Sequence, residues 1–356
     1  MQIAWARLDC QRLTAGRLAR PEDVVGWLGA VQAQEYSFAK WGLALRMRRP
    51  GDASVERAFA AGAILRTHVM RPTWHFVTPA DIRWMLALTA PRVRAAVAHY
   101  DRKLGIDPAV TKRANRAIAA ALAGGAQLTR AELKAVLLQA GVAAEGTQRL
   151  AHVIIHAELD AVICSGARRG KQVTYALLDD RVPAAPMPSR EGALAEFTRR
   201  YFTSHGPAQL QDFVWWSGLT AAEARAGLEM VRHALVQEEI GGKRYWFAAS
   251  TSLPERTARA AYLLPPYDEY LIAYKDRSAS LDPGLWQALA SRDPFVAPLV
   301  LDGRVVGGWK RTLEGDTVTI MLDLPKRLSR ADSLLVKDAA RRYADFLGLD
   351  VVITRR

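Results

Sequence analysis

Cysteine is nearly absent: Cys10 and Cys164 are the two in 356 residues, too few for a disulfide framework or a thiolate metal cluster. That usage fits a reducing compartment, so the expected location is the cytoplasm, in contact with the nucleoid. Cys164 lies in an apolar, helix-like run and is expected as a small core residue. No apolar run approaches the roughly 18 residues that a membrane span needs, so no membrane partner is expected. The opening M-Q-I-A-W-A-R-L-D lacks the apolar core of a signal peptide. There is no P-loop, no G-x-G-x-x-G and no G-x-S-x-G, which leaves no call for a nucleotide cofactor and no nucleophile elbow. Acidic residues are in deficit, 36 Asp and Glu against 49 Lys and Arg, for a net charge of +13. A positive surplus favours a polyanion, since each neutralised phosphate releases counterions. An arginine-rich proteome would give the same excess without such a partner.

What the chain does have is apolar residues, 50% of the total, enough to build several cores. It also has a repeat. Over 107–180, Thr129 and Glu132 form a capping box that opens one helix. Leu150, Val153, Ile154 and Ala157 recur at helical spacing in the next. A basic glycine turn then leads into the alternating strand Val173, Tyr175, Leu177. Over 191–250 the same order returns, with Thr220 and Glu223 as the box and Gly241-Gly242 at the hairpin. Residues 1–80 give a looser copy. A helix runs from Pro21 through 34, Ser54 caps a second helix, and two strands flank a turn near Arg71-Pro72. Three helices followed by a hairpin is the plan of a winged helix. The expected fold is therefore α+β, with three tandem winged-helix units at 1–80, 107–180 and 191–250. A connecting helix covers 81–106 and a proline-containing linker covers 181–190. A small β-rich domain fills 251–356, with a hairpin at Asp302-Gly303 and an amphipathic helix at 330–347.

Several side chains are candidates for chemistry. Arg168, Arg169 and Lys171 occupy one wing tip with no acid between them and can lie on phosphates; a solvated turn is the plainer reading. Lys243 and Arg244 hold the equivalent tip of the next copy. Arg304, Lys310 and Arg311 flank Gly307-Gly308, where glycine allows close backbone approach or marks a bulge. His152 and His156 share a helix face, but Val153 stands where H-E-x-x-H needs glutamate and no third ligand is near, so no metal is expected. His68 and His75 fall on strands, as core or site residues. Trp84, Trp215 and Trp216 read as core. Asp268 and Glu269 form an acid pair that Asp276-Arg277 is placed to neutralise. Gln32-Ala33-Gln34 lies at the end of an apolar helix. A glutamine amide both donates and accepts, and in extended backbone residues i and i+2 share a side, so two such amides can fix one water in an attack geometry.

The segments V-Q-A-Q-E-Y-S-F-A-K-W-G-L, R-T-H-V-M-R-P-T-W-H-F-V, G-P-A-Q-L-Q-D-F-V-W-W-S-G-L, L-L-P-P-Y-D-E-Y-L-I-A-Y-K-D-R and V-V-G-G-W-K-R resemble the AlkZ/YcaQ-type winged-helix DNA glycosylases. The resemblance runs from about residue 5 to 350. It implies three winged-helix units with a C-terminal β domain. It also implies a monofunctional glycosylase acting on N7-alkylated purines in double-stranded DNA, in some members unhooking interstrand cross-links made by genotoxins. The family's Gln-apolar-Gln signature falls on Gln32 and Gln34, the branch associated with toxin self-resistance. Arg71, His75 and Asp268 are further site candidates, no cofactor is implied, and a monomer is the default. Pro72 departs from the glycine of many relatives, which puts the local turn geometry in question. The competing readings are a non-catalytic DNA-binding regulator or lesion sensor, and a protein-interaction scaffold, which leaves the charge unexplained. The discriminating observation is whether Gln32 and Gln34 face a basic concave cleft or lie buried in the first core.

Overall fold

Reciprocal capping starts two helices where the sequence places them. Thr129 Oγ1 accepts the Glu132 N–H while the Glu132 carboxylate accepts the Thr129 N–H, and Thr220 and Glu223 repeat the exchange. In the computed structural model, which describes residues 2–143, 146–251, 259–292 and 296–355, these helices are Arg130–Gln139 and Ala221–Val231. Each belongs to a stretch of three helices and an antiparallel hairpin. The first stretch has Pro21–Leu28, Tyr36–Ala44 and Asp52–Ala61, then strands Leu65–His68 and Trp74–Val77. The second has Pro108–Leu122, Arg130–Gln139 and Thr147–Leu159, then Ile163–Arg169 and Gln172–Leu177. The third has Arg190–Ser204, Leu210–Ser217 and Ala221–Val231, then Leu235–Ile240 and Lys243–Ala248. The long helix Pro79–Lys103 joins the first to the second, and 183–189 carries neither helix nor strand.

The C-terminal region is a five-stranded sheet covered by the helix Arg330–Leu347. Its last strand, Asp350–Arg355, runs parallel to Thr317–Asp323, while the other pairs are antiparallel. Asp302 and Gly303, at φ 51° and 79°, make its tight turn. At Gly307 a Cβ would come within 2.4 Å of the Asp323 carbonyl, so the glycine permits a close backbone approach.

Shared cores fix how the parts meet. Met85 and Leu88 of the long helix pack with Phe197, Tyr201, Phe213 and Trp216 of the third stretch. Trp5, Leu8 and Trp41 pack into the C-terminal sheet instead, and Trp41 Nε1 donates to the Leu263 carbonyl at 2.6 Å. The first stretch is thereby held between the third stretch and the last hundred residues.

Four local expectations change. The helix from Pro21 stops at Leu28 rather than reaching 34, because Gly29 adopts φ 83°. Gly51, not Ser54, stands at the cap of Asp52–Ala61, and the Ser54 hydroxyl donates to the Gly51 carbonyl. Cys164 is buried in a strand, not a helix, because it pairs with Ala176 across the hairpin. Trp84 and Trp216 are core, but Trp215 is 44% exposed and donates to the Ile272 carbonyl.

Candidate active site

With the helix ended at Gly29, Val31–Gln32 is free to pair with Trp74–Val77 as the edge of a three-stranded sheet. The register sets Gln32 opposite His75, and His75 opposite Thr67, so the three share one row on one face. Gln32 is buried and Gln34 is exposed. The Gln32 side-chain oxygen accepts the Gln34 backbone N–H at 3.3 Å. Arg66, its guanidinium 4.2 Å over the Trp74 ring, donates to the carbonyls of Ala33 and Gln34 at 3.0 and 3.2 Å. The Gln32–Gln34 segment is thus pinned by strand pairing on one side and by an arginine on the other.

Polar atoms in the same neighbourhood are left open. His75 Nδ1 donates to the Thr73 carbonyl at 2.8 Å, and its buried Nε2 has no partner. Burial, helped by the charge of Arg71, pushes His75 down to about 3, so the ring is neutral and Nε2 presents a lone pair. Arg71 has Nε and Nη2 buried without partners. The turn that carries it is tight. Met70 has φ 67°, the Arg71 N–H reaches the Val69 carbonyl, and the Thr73 N–H reaches the Arg71 carbonyl at 2.7 Å. Pro72 is exposed between these two bonds, where no N–H is asked of it, so the turn accommodates proline. Gly218 backs the turn, and a Cβ there would lie 2.3 Å from the Met70 carbonyl.

The acid pair divides. Asp268 receives Arg46 Nη1 at 3.0 Å and Nη2 at 2.8 Å, plus the Tyr270 N–H. It is a buried structural ion pair with no oxygen aimed at Gln32. Its neighbour Glu269 is the one that reaches the row: Oε1 accepts the Gln32 N–H and Oε2 accepts the Trp216 indole N–H, both at 2.9 Å. His205 Nε2 stands 3.6 Å from Oε2, just past hydrogen-bonding distance. Burial raises the Glu269 carboxyl, but His205, the Gln32 N–H and the Arg71 charge outweigh it and hold it at about 2. Burial also lowers His205. Asp276 and Arg277 do not neutralise the pair; Asp276 binds Lys243 and Arg277 Nε donates to the Tyr274 carbonyl. Nothing in the spacing of D-E distinguishes the two carboxylates; the first turn of the short helix Glu269–Ile272 aims them at different neighbours.

The basic candidates also divide. Arg168 turns inward to Glu56 at 3.2 Å and over the Tyr36 ring, and Arg311 is bonded to Ser37 and Tyr343. Arg169 is paired with Glu132 at the surface, and Lys243 with Asp276. Lys171, Arg244, Arg304 and Lys310 are exposed, with Arg304 donating to the Ala279 carbonyl. His152 and His156 both contact Asp101, at 2.7 and 2.9 Å, and no metal-binding group occurs among the described residues. Beside the Gln34 loop, a groove of about 520 Å³ is lined by Arg66, Trp74, Arg130, Gln172 and Tyr175, and among the described residues no carboxylate lines it.

Comparison with known proteins fits this arrangement. The sequence model of the family described as DNA glycosylase AlkZ-like matches residues 25–346. The chain belongs to that family. As an AlkZ-like protein it is a DNA glycosylase, a hydrolase of N-glycosyl bonds. It is 28% identical over 324 residues to an interstrand DNA cross-link repair glycosylase of Streptomyces sahachiroi, covering 86% of each chain. Its fold is similar to the solved structure of the Streptomyces sahachiroi DNA glycosylase AlkZ, with a TM-score of 0.81 and 26% identity over 99% of this chain and 98% of that one. Gln32, Gln34, Arg71, His75, Asp268 and Glu269 all fall within the AlkZ-like match.

Proposed function

We propose that this protein is a monofunctional glycosylase that hydrolyses the N-glycosidic bond of N7-alkylated purines in double-stranded DNA, including those in interstrand cross-links. The three helix–hairpin stretches are winged helices that hold the duplex, and the protein works as a cytoplasmic monomer. The observation that carries the reading is the pinned Gln32–Gln34 segment beside a groove lined by Arg66 and Arg130 and a set of unpartnered polar atoms. The relationship to a cross-link repair glycosylase supports the choice of lesion.

Alkylation at N7 makes the purine cationic, so the C1′–N9 bond breaks with its electron pair leaving on a base that departs neutral. The positive charge passes to the sugar. A water oxygen then bonds C1′ and its proton goes to solvent. Such a reaction needs a positioned water more than a strong base, and the amides of Gln32 and Gln34 supply that position. Lys40, on the adjoining helix, is held by Asp52 and Glu56 at 2.8 and 2.9 Å, so it offers no free amine for an imine intermediate. Arg71, with two open N–H groups, suits a phosphate flanking an extruded nucleotide, and His75 Nε2 suits an N–H of the base or a water. Lys171 and Arg244 at the wing tips, with Arg169, Arg304 and Lys310, supply the wider phosphate contacts.

The test uses duplexes carrying one N7-methylguanine or one N7–N7 bis-alkyl cross-link, heated in alkali to reveal abasic sites. Base release by the wild type, lost in Gln32→Ala/Gln34→Ala while duplex binding persists, is the expected result. Absence of release by the wild type, or full release by the double variant, would overturn the proposal.

A further inference from the structure

Among the described residues six carboxylates are buried: Asp81, Asp101, Glu158, Asp212, Asp268 and Glu269. Asp81, Asp212 and Asp268 each have an arginine within 4 Å, namely Arg200, Arg7 and Arg46. Asp101 and Glu158 are in hydrogen-bond contact with histidines. Glu269 has neither. Its nearest basic group is His205 at 3.6 Å, and its oxygens are met by two neutral N–H donors instead. A buried carboxylate that no arginine or lysine contacts within 4 Å is costly, so a chain that keeps one has a use for the charge itself. Its place is telling as well. The Gln32 N–H points off the free edge of the sheet, where no strand can accept it, and Glu269 Oε1 is its acceptor.

We infer that Glu269 is the fixed negative charge of the active site: it positions Gln32 through the backbone N–H and stabilises the cationic sugar as the C1′–N9 bond breaks. The inference rests on the glycosylase reading above. Glu269 forms no bond and exchanges no proton. Its charge opposes the positive charge that moves from the alkylated base to the sugar and that leaves with the proton released when water adds. The groups facing it are Gln32, Arg71 and His75 from the first stretch and Tyr201, His205 and Trp216 from the third. On its own segment, Asp268 is neutralised by Arg46. Arg71 is the cation that a DNA phosphate would engage, which leaves Glu269 facing the sugar.

The experiment compares two abasic duplexes, one with a neutral tetrahydrofuran and one with a cationic pyrrolidine in place of the sugar. The wild type is first assayed for release of N7-methylguanine; no release overturns the glycosylase reading and this inference with it. Given release, the wild type is expected to bind the pyrrolidine duplex on the order of 10-fold tighter than the tetrahydrofuran duplex. Glu269→Gln keeps the shape and removes the charge. It is expected to lose that preference and to slow single-turnover release about 100-fold, while binding the neutral duplex like the wild type. A merely structural Glu269 would leave the preference intact. Equal binding of both duplexes by the wild type, or a Glu269→Gln protein that keeps both preference and rate, overturns the inference alone. If Glu269→Gln does not fold, the wild-type comparison decides.

Discussion

The second helix–hairpin stretch and the first each bury a knot of histidine and carboxylate, and the two knots are finished differently. Between Pro79–Lys103 and Thr147–Leu159, each oxygen of Asp101 meets a histidine nitrogen, from His152 and from His156. Around Gln32 the parts are similar, with Glu269, His75, His205 and Arg71, yet His75 Nε2, His205 Nε2 and two Arg71 nitrogens have no hydrogen-bond partner. Unmet buried polar groups are rare because each costs about 1–3 kcal/mol. A closed knot is a structural device, whereas an open one is completed by whatever binds. The contrast supports the proposal that the chemistry lies at Gln32 and not at the more conspicuous histidine pair.

The sharpest break of that contrast is the double change Gln32→Ala/Gln34→Ala. Single-turnover release of N7-methylguanine is expected to fall by about 10³-fold or more if the amides position the water as proposed. Asp101→Ala should do the reverse. It strands two histidines, so stability falls by about 2–3 kcal/mol in denaturant titration while release per folded molecule is unchanged. Arg71→Gln lies between these: DNA binding weakens by about 10-fold, and the thermal midpoint holds or rises because an unpaired buried charge is gone.

The pH dependence of folding separates the knots further. His75 and His205 are held below their ordinary value of 6.5 in the fold, His75 at about 3. The unfolded chain therefore binds protons that the native state refuses, and stability falls as pH drops below 6.5. The slope is up to about 1.4 kcal/mol per pH unit for each such histidine. Glu269, held at about 2 against 4.5, acts in the same direction over a lower window: its stabilisation is intact above 4.5 and is lost only as pH falls toward 2. Between pH 6.5 and 5 His75 and His205 contribute to this fall and Glu269 does not. His75→Gln should flatten the fall of thermal midpoint over that window, and an unchanged slope would contradict the buried neutral assignment. The smallest effects belong to the wings. Lys171→Ala and Arg244→Ala should each lower the salt-dependence slope of duplex binding by about 0.9. Arg168→Ala, which breaks an internal bond to Glu56, should leave that slope alone.

What was legible in the sequence was local. The Thr129–Glu132 and Thr220–Glu223 boxes, the Gly241-Gly242 turn and the Asp302-Gly303 turn act within a few residues, so pattern reveals them. Gln32 and Gln34 stood out through family resemblance, because Q-x-Q by itself has no distinguishing physics. The remainder depends on contacts distant in sequence. The strand at Val31–Gln32 exists because a partner 43 positions along pairs with it, which overrides the helical periodicity that runs up to it. Arg168 appears free of acids along the chain but meets Glu56 across 112 positions. The choice between Asp268 and Glu269 turns on Arg46 and Gln32, each more than 200 positions away.

The packing of Trp5, Leu8 and Trp41 into the C-terminal sheet bears on how this molecule can be cut. Tandem arrays often tolerate shortening, because each repeat leans on its neighbours alone. Here the far end of the chain folds back onto the beginning. A fragment ending at 250 would uncover three large apolar side chains and leave the Gln32 amide without its acceptor, so the minimal working enzyme is close to the entire polypeptide.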